Sequence, residues 1–343
     1  MSCTSSVSID FKRGAAAEKK GQFKESVKFY KKVISREKAS ELAIRAAKRA
    51  AKVSYFNLKD FKGALAFYKH IVINSQNQRD QISAQQVIAE IFFNHVSDYK
   101  QAITEYTRLL SLPHSEAEKR KYKFAIAKSY FFISNFFQAE VEVNSLIDSD
   151  NPTNPNNYEP MVLKANILLT TKQVAKATEL FKEIIKNFPQ ISKKDRITLN
   201  LAVCYEESKD FETAIDLLEK EIDETYNEIV MDLESKIDRV NIEREENYEP
   251  LLLLSNINFL SGKKKEALSV LEILINYFTD RSKQDSLETI YKTLDAGKNL
   301  KPIRYSQSSF DVSQTDYVYY LSERIYQLRR RKALQPGARG LKK

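Results

Sequence analysis

The sequence predicts an all-α array of about seven helix-turn-helix repeats, followed by C-terminal capping helices. One short motif recurs down the chain, and its small residue falls at intervals of 38, 38, 37, 38, 37 and 53 residues. Within each copy the apolar residues are three and four positions apart. This spacing places them on one face of a helix, whereas the period of two in a strand would scatter them to both faces.

The motif is clearest at residues 59–71, where an Asp-Phe turn leads to Ala64, then to Tyr68 and Ile71. A second amphipathic run precedes each copy and ends nine residues before the small residue, for example at Tyr55. Each repeat is therefore predicted to contain two helices, A and B, joined by a turn. The small residues of the seven repeats are Ser26, Ala64, Ala102, Ala139, Ala177, Ala214 and Ala267.

This pattern resembles the tetratricopeptide repeat, in which a small residue and an aromatic one mark helix A, and an aromatic residue, Ala and Tyr or Phe mark helix B. The small residue lets the two helices approach, and the next repeat covers the apolar face left open. The period is three to four residues longer than the family's usual length of about 34, and the repeat-ending proline remains only as Pro189, with Pro113 near it. The resemblance covers residues 7–281 and implies a right-handed superhelical solenoid.

The motif spacing also predicts the order of segments. The 53-residue interval, which contains no Gly or Pro from 211 to 244, predicts that helix B of repeat six extends over about 211–246. The Pro- and Asn-rich stretch at 150–157 is expected to act as a joint. In order, we expect a flexible tether at 1–8, repeats one to four at 9–149, the linker at 150–157, repeats five to seven at 158–281, capping helices at 282–334 and a basic tail at 335–343.

The charge is unevenly distributed. The net charge is +9, but residues 324–343 contain eight basic residues and no acid, so the remainder of the chain is nearly neutral. Residues 219–246 hold eleven acids and four bases. This acidic stretch is either a solvated helix face or a ridge that docks a basic partner, which could be the chain's own C-terminal segment. The tail residues singled out for this role are Arg329, Arg330, Arg331 and Lys332.

The sequence gives little support to catalysis. It has no glycine-rich phosphate loop and no His-Glu-x-x-His, and its three histidines fall in unrelated positions. The longest apolar runs are shorter than the roughly 18 residues of a membrane span. A disulfide between Cys3 and Cys204 is not expected. We therefore predict no enzyme, no catalytic residues, no cofactor and no metal site.

The resemblance instead implies binding of a protein or peptide partner, because helix A residues that face away from helix B line a concave groove in such arrays. Asparagine amides there can bond a peptide backbone, and aromatic rings supply anchoring area. The alternative is that some of these residues merely pack against the next repeat. Arg49, Asn94 and Lys128 match only part of the set that family members use to clamp a terminal carboxylate. The predicted groove residues are Arg49, Val53, Phe56, Asn57, Ile91, Asn94, Lys128, Phe131, Asn166 and Asn256.

Cys3, followed by Thr and Ser, resembles the start of a mature bacterial lipoprotein, although the apolar signal segment that should precede it is missing. Either Cys3 carries a lipid or it is an ordinary exposed residue. With a lipid on Cys3, the chain resembles the tetratricopeptide lipoproteins that assist outer-membrane protein insertion, pilus secretin assembly or cell-wall coordination. This resemblance implies that the protein is located at the periplasmic face of the outer membrane. The alternatives are a cytoplasmic adaptor or chaperone and an RNA reader like the pentatricopeptide proteins. The near-neutral body argues against the RNA reader.

Overall fold

The computed structural model describes residues 6–195, 197–236, 248–260, 262–278, 281–297 and 312–333. Within these ranges the regular structure is helical and contains no strand, so the all-α prediction is confirmed. The helices are α1 (Ser6–Lys19), α2 (Phe23–Arg36), α3 (Glu41–Lys52), α4 (Phe61–Asn74), α5 (Gln78–Ile91), α6 (Tyr99–Leu110), α7 (Glu116–Phe132), α8 (Phe136–Asn144), α9 (Tyr158–Thr170), α10 (Val174–Asn187), α11 (Pro189–Lys194), α12 (Ile197–Glu207), α13 (Phe211–Lys236), α14 (Tyr248–Leu260), α15 (Lys264–Tyr277), α16 (Arg281–Asp295) and α17 (Val312–Ala333).

Helices adjacent in sequence pack as hairpins in the predicted phase. In α1–α2, α3–α4, α5–α6 and α7–α8, and again in α12–α13 and α14–α15, helix A lies against helix B. All seven small residues, from Ser26 to Ala267, have no exposed surface. A side chain of this size lets neighbouring helices approach closely, which is the packing that the motif predicted.

The turns between helices A and B share one left-handed residue at the same position. In each turn a left-handed residue stands two positions before the first residue of helix B, and the backbone amide of the following residue donates to a carbonyl near the end of helix A. In hairpins two and three the side chains of Asp60 and Asp98 then accept the amide hydrogens of Gly63 and Gln101 at 2.9 and 3.1 Å. The left-handed residues are Gly21, Lys59, Ser97, Ser134, Lys172, Lys209 and Gly262.

Hairpins two and three carry one extra residue in helix A. The π-helical turns Val53–Asn57 and Phe92–Val96 follow α3 and α5 directly. The amide of Asp60 bonds the carbonyl of Ser54, six residues back, whereas the amide of Asn135 in hairpin four bonds that of Tyr130, five residues back. A π turn absorbs such an insertion without breaking the helix, and the sequence motif did not predict it.

The chain forms two compact units, Met1–Gln173 and Val174–Lys343. The core of the first unit runs continuously through its early hairpins and includes Tyr30, Ile71, Ile88 and Leu109. The predicted flexible tether at 1–8 is wrong for residues 6–8, because α1 begins at Ser6 and Val7 is buried. Residues 1–5, with Cys3, lie outside the described residues.

The stretch at 150–157, predicted as a joint, is an ordered turn inside the first unit, and the division between units falls after Gln173. The buried side chain of Asn157 organises it: its amide donates to the carbonyls of Asp148 and Asn151 at 2.8 and 3.0 Å, and its oxygen accepts the amide hydrogen of Asp148 at 2.9 Å. These bonds satisfy the backbone of a segment that cannot continue as a helix at Pro152 and Pro155.

In the second unit α13 is the longest described helix, with 26 residues up to Lys236, and residues 237–246 of the predicted extension lie outside the described residues. The segment predicted to cap the array end is helical, but α17 packs on α13 and α14. Its residues Val318, Leu321 and Leu328 are buried there. The 26-residue α13 also packs against α12 and α14, and α17 supplies further apolar contact along it. The capping helices predicted at 282–334 are therefore α16, which packs on α15, and α17, which packs back on α13 and α14.

Candidate functional site

Side chains join the A helices of neighbouring hairpins in the first unit, and we call the surface formed by α1, α3, α5 and α7 the A face. Arg49, predicted to be in the groove, lies here and is held by Glu18, which also accepts a hydrogen bond from the Tyr30 hydroxyl at 2.6 Å. The three ion pairs between A helices are Arg49 Nε with Glu18 Oε2 at 3.0 Å, Lys48 Nζ with Asp80 Oδ2 at 2.6 Å, and Lys121 Nζ with Glu90 Oε1 at 3.5 Å.

Lys128, the second predicted groove residue on this face, lies over two aromatic rings. Its Nζ is 4.7 Å from the ring centre of Phe124 and 5.3 Å from that of Phe93, in the π-helical turn that follows α5. The rings stabilise the ammonium group and fix its position, while the side chain stays half-exposed. The ammonium can therefore still receive a carboxylate or carbonyl oxygen from a partner.

Glu90 lies close to several tyrosines. Burial and then the Glu90 carboxylate raise the pKa of Tyr68 and Tyr106, although for Tyr68 the neighbouring Tyr55 contributes before Glu90. Burial also raises the pKa of Tyr122, against a lowering contribution from the hydrogen bond that Gln86 donates to its hydroxyl. These phenols are therefore neutral at physiological pH, and their hydroxyls remain hydrogen-bond donors.

Three predicted groove residues, Phe56, Asn57 and Asn94, do not lie on the A face. They are exposed in the two π-helical turns, at the A-to-B end of their hairpins. We call the surface formed by the turns of hairpins two to four, residues 52–63, 92–101 and 131–138, the turn edge. Phe131 also lies on this edge, half-buried, with its ring 5.7 Å from that of Phe136 and 5.9 Å from that of Phe132.

Ring contacts join the successive turns of this edge. The His95 ring stacks on Phe61 of the preceding hairpin at 4.0 Å, and its Nε2 lies 2.8 Å from the Tyr55 hydroxyl. In the same way Phe132 stacks on Tyr99 of the preceding hairpin at 4.7 Å. The three turns therefore form one continuous surface.

The remaining predicted groove residues fall in different environments. Val53 and Ile91 are buried in the core, so their assignment to a groove is wrong. Asn166 is half-buried on α9. Asn256 belongs to α14 in the second unit, and its side chain lies outside what the structure describes.

The basic C-terminal residues are engaged within the second unit. The guanidinium of Arg329 pairs with Glu219, so one residue of the basic segment contacts the acidic stretch at 219–246. Arg324 and Arg331 both pair with Glu206, and Lys332 Nζ lies 3.2 Å from Glu212. Arg330 remains exposed near the Tyr326 ring. Since most of these charges have intramolecular partners, the described part of the tail is not a free phosphate-binding segment.

A cleft of about 410 Å³ in the second unit is lined by residues of α10 to α13. Its basic residues include Lys182 and Lys193, but acids lie beside them. Lys193 Nζ is 2.7 Å from Glu228 and 3.5 Å from Glu224, and Lys182 Nζ is 3.0 Å from Glu179. This balance of charge makes the cleft a weaker candidate than the A face.

Other chemistry has no visible site in the described residues. No three histidine, cysteine or carboxylate side chains come together there as metal ligands would. Cys204 is buried without a disulfide partner, and burial raises the pKa of its thiol. No helix among the described ones is both long and apolar enough to cross a bilayer.

In a comparison with known families, a model of the tetratricopeptide repeat matches residues 11–40, which include α2 and most of α1. This confirms the resemblance seen in the sequence. A search of curated protein sequences gave no significant match.

Several solved structures have a similar fold. A tetratricopeptide repeat protein from Parabacteroides merdae ATCC 43184 is 13% identical, with a TM-score of 0.44 over 84% of this chain and 98% of that one. The C-terminal part of a repeat-containing protein from Cytophaga hutchinsonii is 15% identical, with a TM-score of 0.46 over 81% and 99%. The TPR2AB domain of yeast Sti1, in a complex with pHSP90, is 13% identical, with a TM-score of 0.28 over 92% and 98%. At these values the likeness does not bear on function.

Proposed function

We propose that this chain, an array of hairpins resembling tetratricopeptide repeats, is a non-enzymatic scaffold that binds a protein partner as an extended peptide across the A face of its first unit. The observation that carries this proposal is the convergence of half-exposed polar and aromatic side chains from successive A helices. Around Glu90 these include Gln86, Lys121 and Phe124, with Lys128 one helical turn further along α7.

The chemistry of this face suits a peptide. Lys121 and Lys128 can receive carbonyl or carboxylate oxygens, Glu90 and Gln86 can accept amide hydrogens, and the Phe124 ring supplies an apolar contact. The ion pairs and ring contacts described above hold several of these side chains in place before binding. Such preorganisation lowers the entropy that is lost when a complex forms.

Site-specific photo-crosslinking in the native host tests this proposal. A photoreactive amino acid at Lys121 or Phe124 should crosslink to one discrete protein species. The same amino acid at Ile73, an exposed residue near the end of α4, serves as the control. If neither A-face position yields a crosslinked protein, or if Ile73 yields the same species, the A face is not the binding surface.

We further propose that a lipid on Cys3 tethers the scaffold to the periplasmic face of a bacterial outer membrane. The Cys-Thr-Ser sequence supports this proposal. In addition α1 begins at Ser6, so only two residues would separate the lipidated cysteine from the folded unit. The first unit would then lie at the bilayer surface.

Mass spectrometry of the native protein tests the tether. Diacylglycerol on Cys3, in a protein recovered with outer membranes, is the expected result. An unmodified Cys3 in a protein recovered in the cytoplasmic fraction would instead favour the cytoplasmic adaptor or chaperone. The crosslinking experiment is independent of this outcome.

A further inference from the structure

We infer that the turn edge of the first unit is a second binding surface, and that it contacts an anionic lipid surface through inserted phenylalanines and flanking lysines. This contact goes beyond the peptide scaffold proposed above and does not require a lipid on Cys3. The surface consists of side chains at the tips of three consecutive hairpins.

Large apolar side chains on this edge point into solvent. The exposed fractions are 60% for Phe56 in the turn of hairpin two, 51% for Phe132 and 73% for Phe137 in the turn of hairpin four. Val96, in the turn between them, is also exposed. Exposed apolar side chains grouped on one surface mark an interaction site rather than the scattered exposure of ordinary residues.

The neighbouring charges on the edge are basic and unpaired. Lys52, Lys59, Lys62 and Lys100 are exposed, and none of them contacts an acid among the described residues. The nearest turn acids, Asp60 and Asp98, accept backbone amide hydrogens at the start of the next helix. The four lysines outnumber these two carboxylates, which leaves the edge cationic.

The geometry favours a lipid surface over a peptide. A peptide anchor needs a recess on the receptor, but here the protein's own rings protrude from hairpin tips, and lysines stand between them. Protruding rings suit a deformable medium into which they can insert, and the lysines suit its anionic headgroups. The stacked pairs His95–Phe61 and Phe132–Tyr99 keep the three tips in fixed register.

Vesicle flotation of the full chain tests this inference. The chain carries Cys3→Ser so that no acyl group contributes. We expect co-flotation with vesicles of phosphatidylcholine and phosphatidylglycerol, and weak co-flotation with phosphatidylcholine alone. The Phe56→Ser/Phe137→Ser variant should reduce partitioning about tenfold or more, because binding scales with the apolar area inserted. Lys59→Glu/Lys62→Glu should reduce it similarly, and added salt should weaken binding by the parent chain.

Ile73→Ser is the matched control, because Ile73 is 77% exposed but lies twelve residues beyond the start of α4, about 18 Å along the helix from the edge. Its partitioning should equal that of the parent. Failure to bind anionic vesicles would overturn the inference, and so would equal losses in the Ile73 and Phe56/Phe137 variants. If only Lys59→Glu/Lys62→Glu loses vesicle binding, the edge binds lipid through its charge and its phenylalanines do not insert. A photoreactive group at Phe132 that captured a protein, without any vesicle binding, would make the edge a protein interface.

Discussion

The small buried residue in helix B of each hairpin determines how closely the helices approach. Ala64, Ala102 and Ala139 have no exposed surface, and each lies where a longer side chain would push helix B away from its neighbour. Their regular recurrence made them visible in the sequence, because the same packing demand repeats in every hairpin. This is the part of the fold that the residues specify most directly.

Ala64→Leu should therefore destabilise the first unit by about 1–3 kcal/mol, since added methylene groups in a filled core force backbone shifts. Ala66, two residues further along α4, is exposed. Ala66→Leu adds the same atoms to the same helix and should change the free energy of unfolding by less than about 0.5 kcal/mol. Urea unfolding measures both variants. Equal losses of stability would contradict the packing assigned to Ala64.

The buried tyrosines predict an alkaline loss of stability. Burial and Glu90 raise the pKa of Tyr106 above the value of about 10 in an unfolded chain. Above pH 10 the unfolded state releases a proton that the folded state keeps, so stability is fully present below that pH and falls as the pH rises further. The loss should reach about 1.4 kcal/mol per pH unit for this tyrosine.

Tyr106→Phe removes the titrating group and should make the free energy of unfolding less dependent on pH above 10. Urea unfolding at several pH values measures the slopes. Below pH 9 the two proteins should differ by a constant amount, which serves as the control. If the free energy of unfolding falls equally with pH above 10 in the parent and in Tyr106→Phe, Tyr106 does not titrate as proposed.

The groove positions show where prediction from single residues failed. Val53, Ile91, Lys128 and Asn166 all stand eleven residues before the small residue of their hairpin. Lys128 and Asn166 are half-exposed, but Val53 and Ile91 are buried. The π turns explain the difference, because one extra residue rotates helix A by about 100° relative to helix B. Nothing in the motif spacing marks that insertion.

At the scale of elements, α13 and α17 depend on each other. The apolar residues of α17 fill the side of α13 that α14 leaves open, and basic residues of α17 pair with Glu206, Glu212 and Glu219. The charge pattern offered the contact with Glu219 as one of two alternatives, whereas Glu206 and Glu212 lie outside the acidic stretch that it marked. The repeat motif could not predict the position of α17, because α17 is not a copy of the motif and its site is formed by helices distant in sequence.

Removing residues 329–343 should lower the stability of the second unit in low salt, because Glu219 and Glu212 lose Arg329 and Lys332 and like charges on α13 remain unbalanced. Glu206 keeps Arg324 and loses only Arg331. The difference from the full chain should shrink at about 1 M salt, where the screening length is about 3 Å. Urea unfolding at both salt concentrations measures the effect.

A charge-swapped variant, Glu219→Arg with Arg329→Glu, provides the control for this truncation. If direct pairing matters, the double variant should retain more low-salt stability than Glu219→Arg alone. A truncation without effect at either salt concentration would show that the ion pairs contribute nothing to the docking of α17.

At the scale of the whole molecule, successive hairpins of the first unit supply apolar cover to one another. The A helix of hairpin two shows this most clearly, because its alanines at 43, 46, 47 and 50 have no exposed surface while α1 and α2 are in place. The motif predicted this stacking through seven hairpins. The sequence placed a joint at residues 150–157, but the boundary between the compact units falls after Gln173. Residues 150–157 are ordered by hydrogen bonds of the Asn157 side chain, and the repeat motif contains no sign of a single side chain with this role.

Deleting residues 1–40 should therefore expose the apolar face of α3, and we expect the shortened chain to self-associate and to lose helical content. Size-exclusion chromatography with light scattering and circular dichroism measure these changes. Deletion of residues 1–5, which precede α1, is the control and should leave both properties unchanged. A monomeric and fully helical chain lacking residues 1–40 would show that the first hairpin is dispensable.

The left-handed residue in each A-to-B turn affects how the exposed surface of the turns can vary in sequence. Two of the seven such positions are glycine and three are lysine, Lys59, Lys172 and Lys209, although a side chain there costs about 1 kcal/mol in backbone strain. Because the backbone turn tolerates a side chain, that position can change its charge while the buried alanines stay fixed. Affinity for an outside surface could thus be adjusted one hairpin at a time, independently of folding.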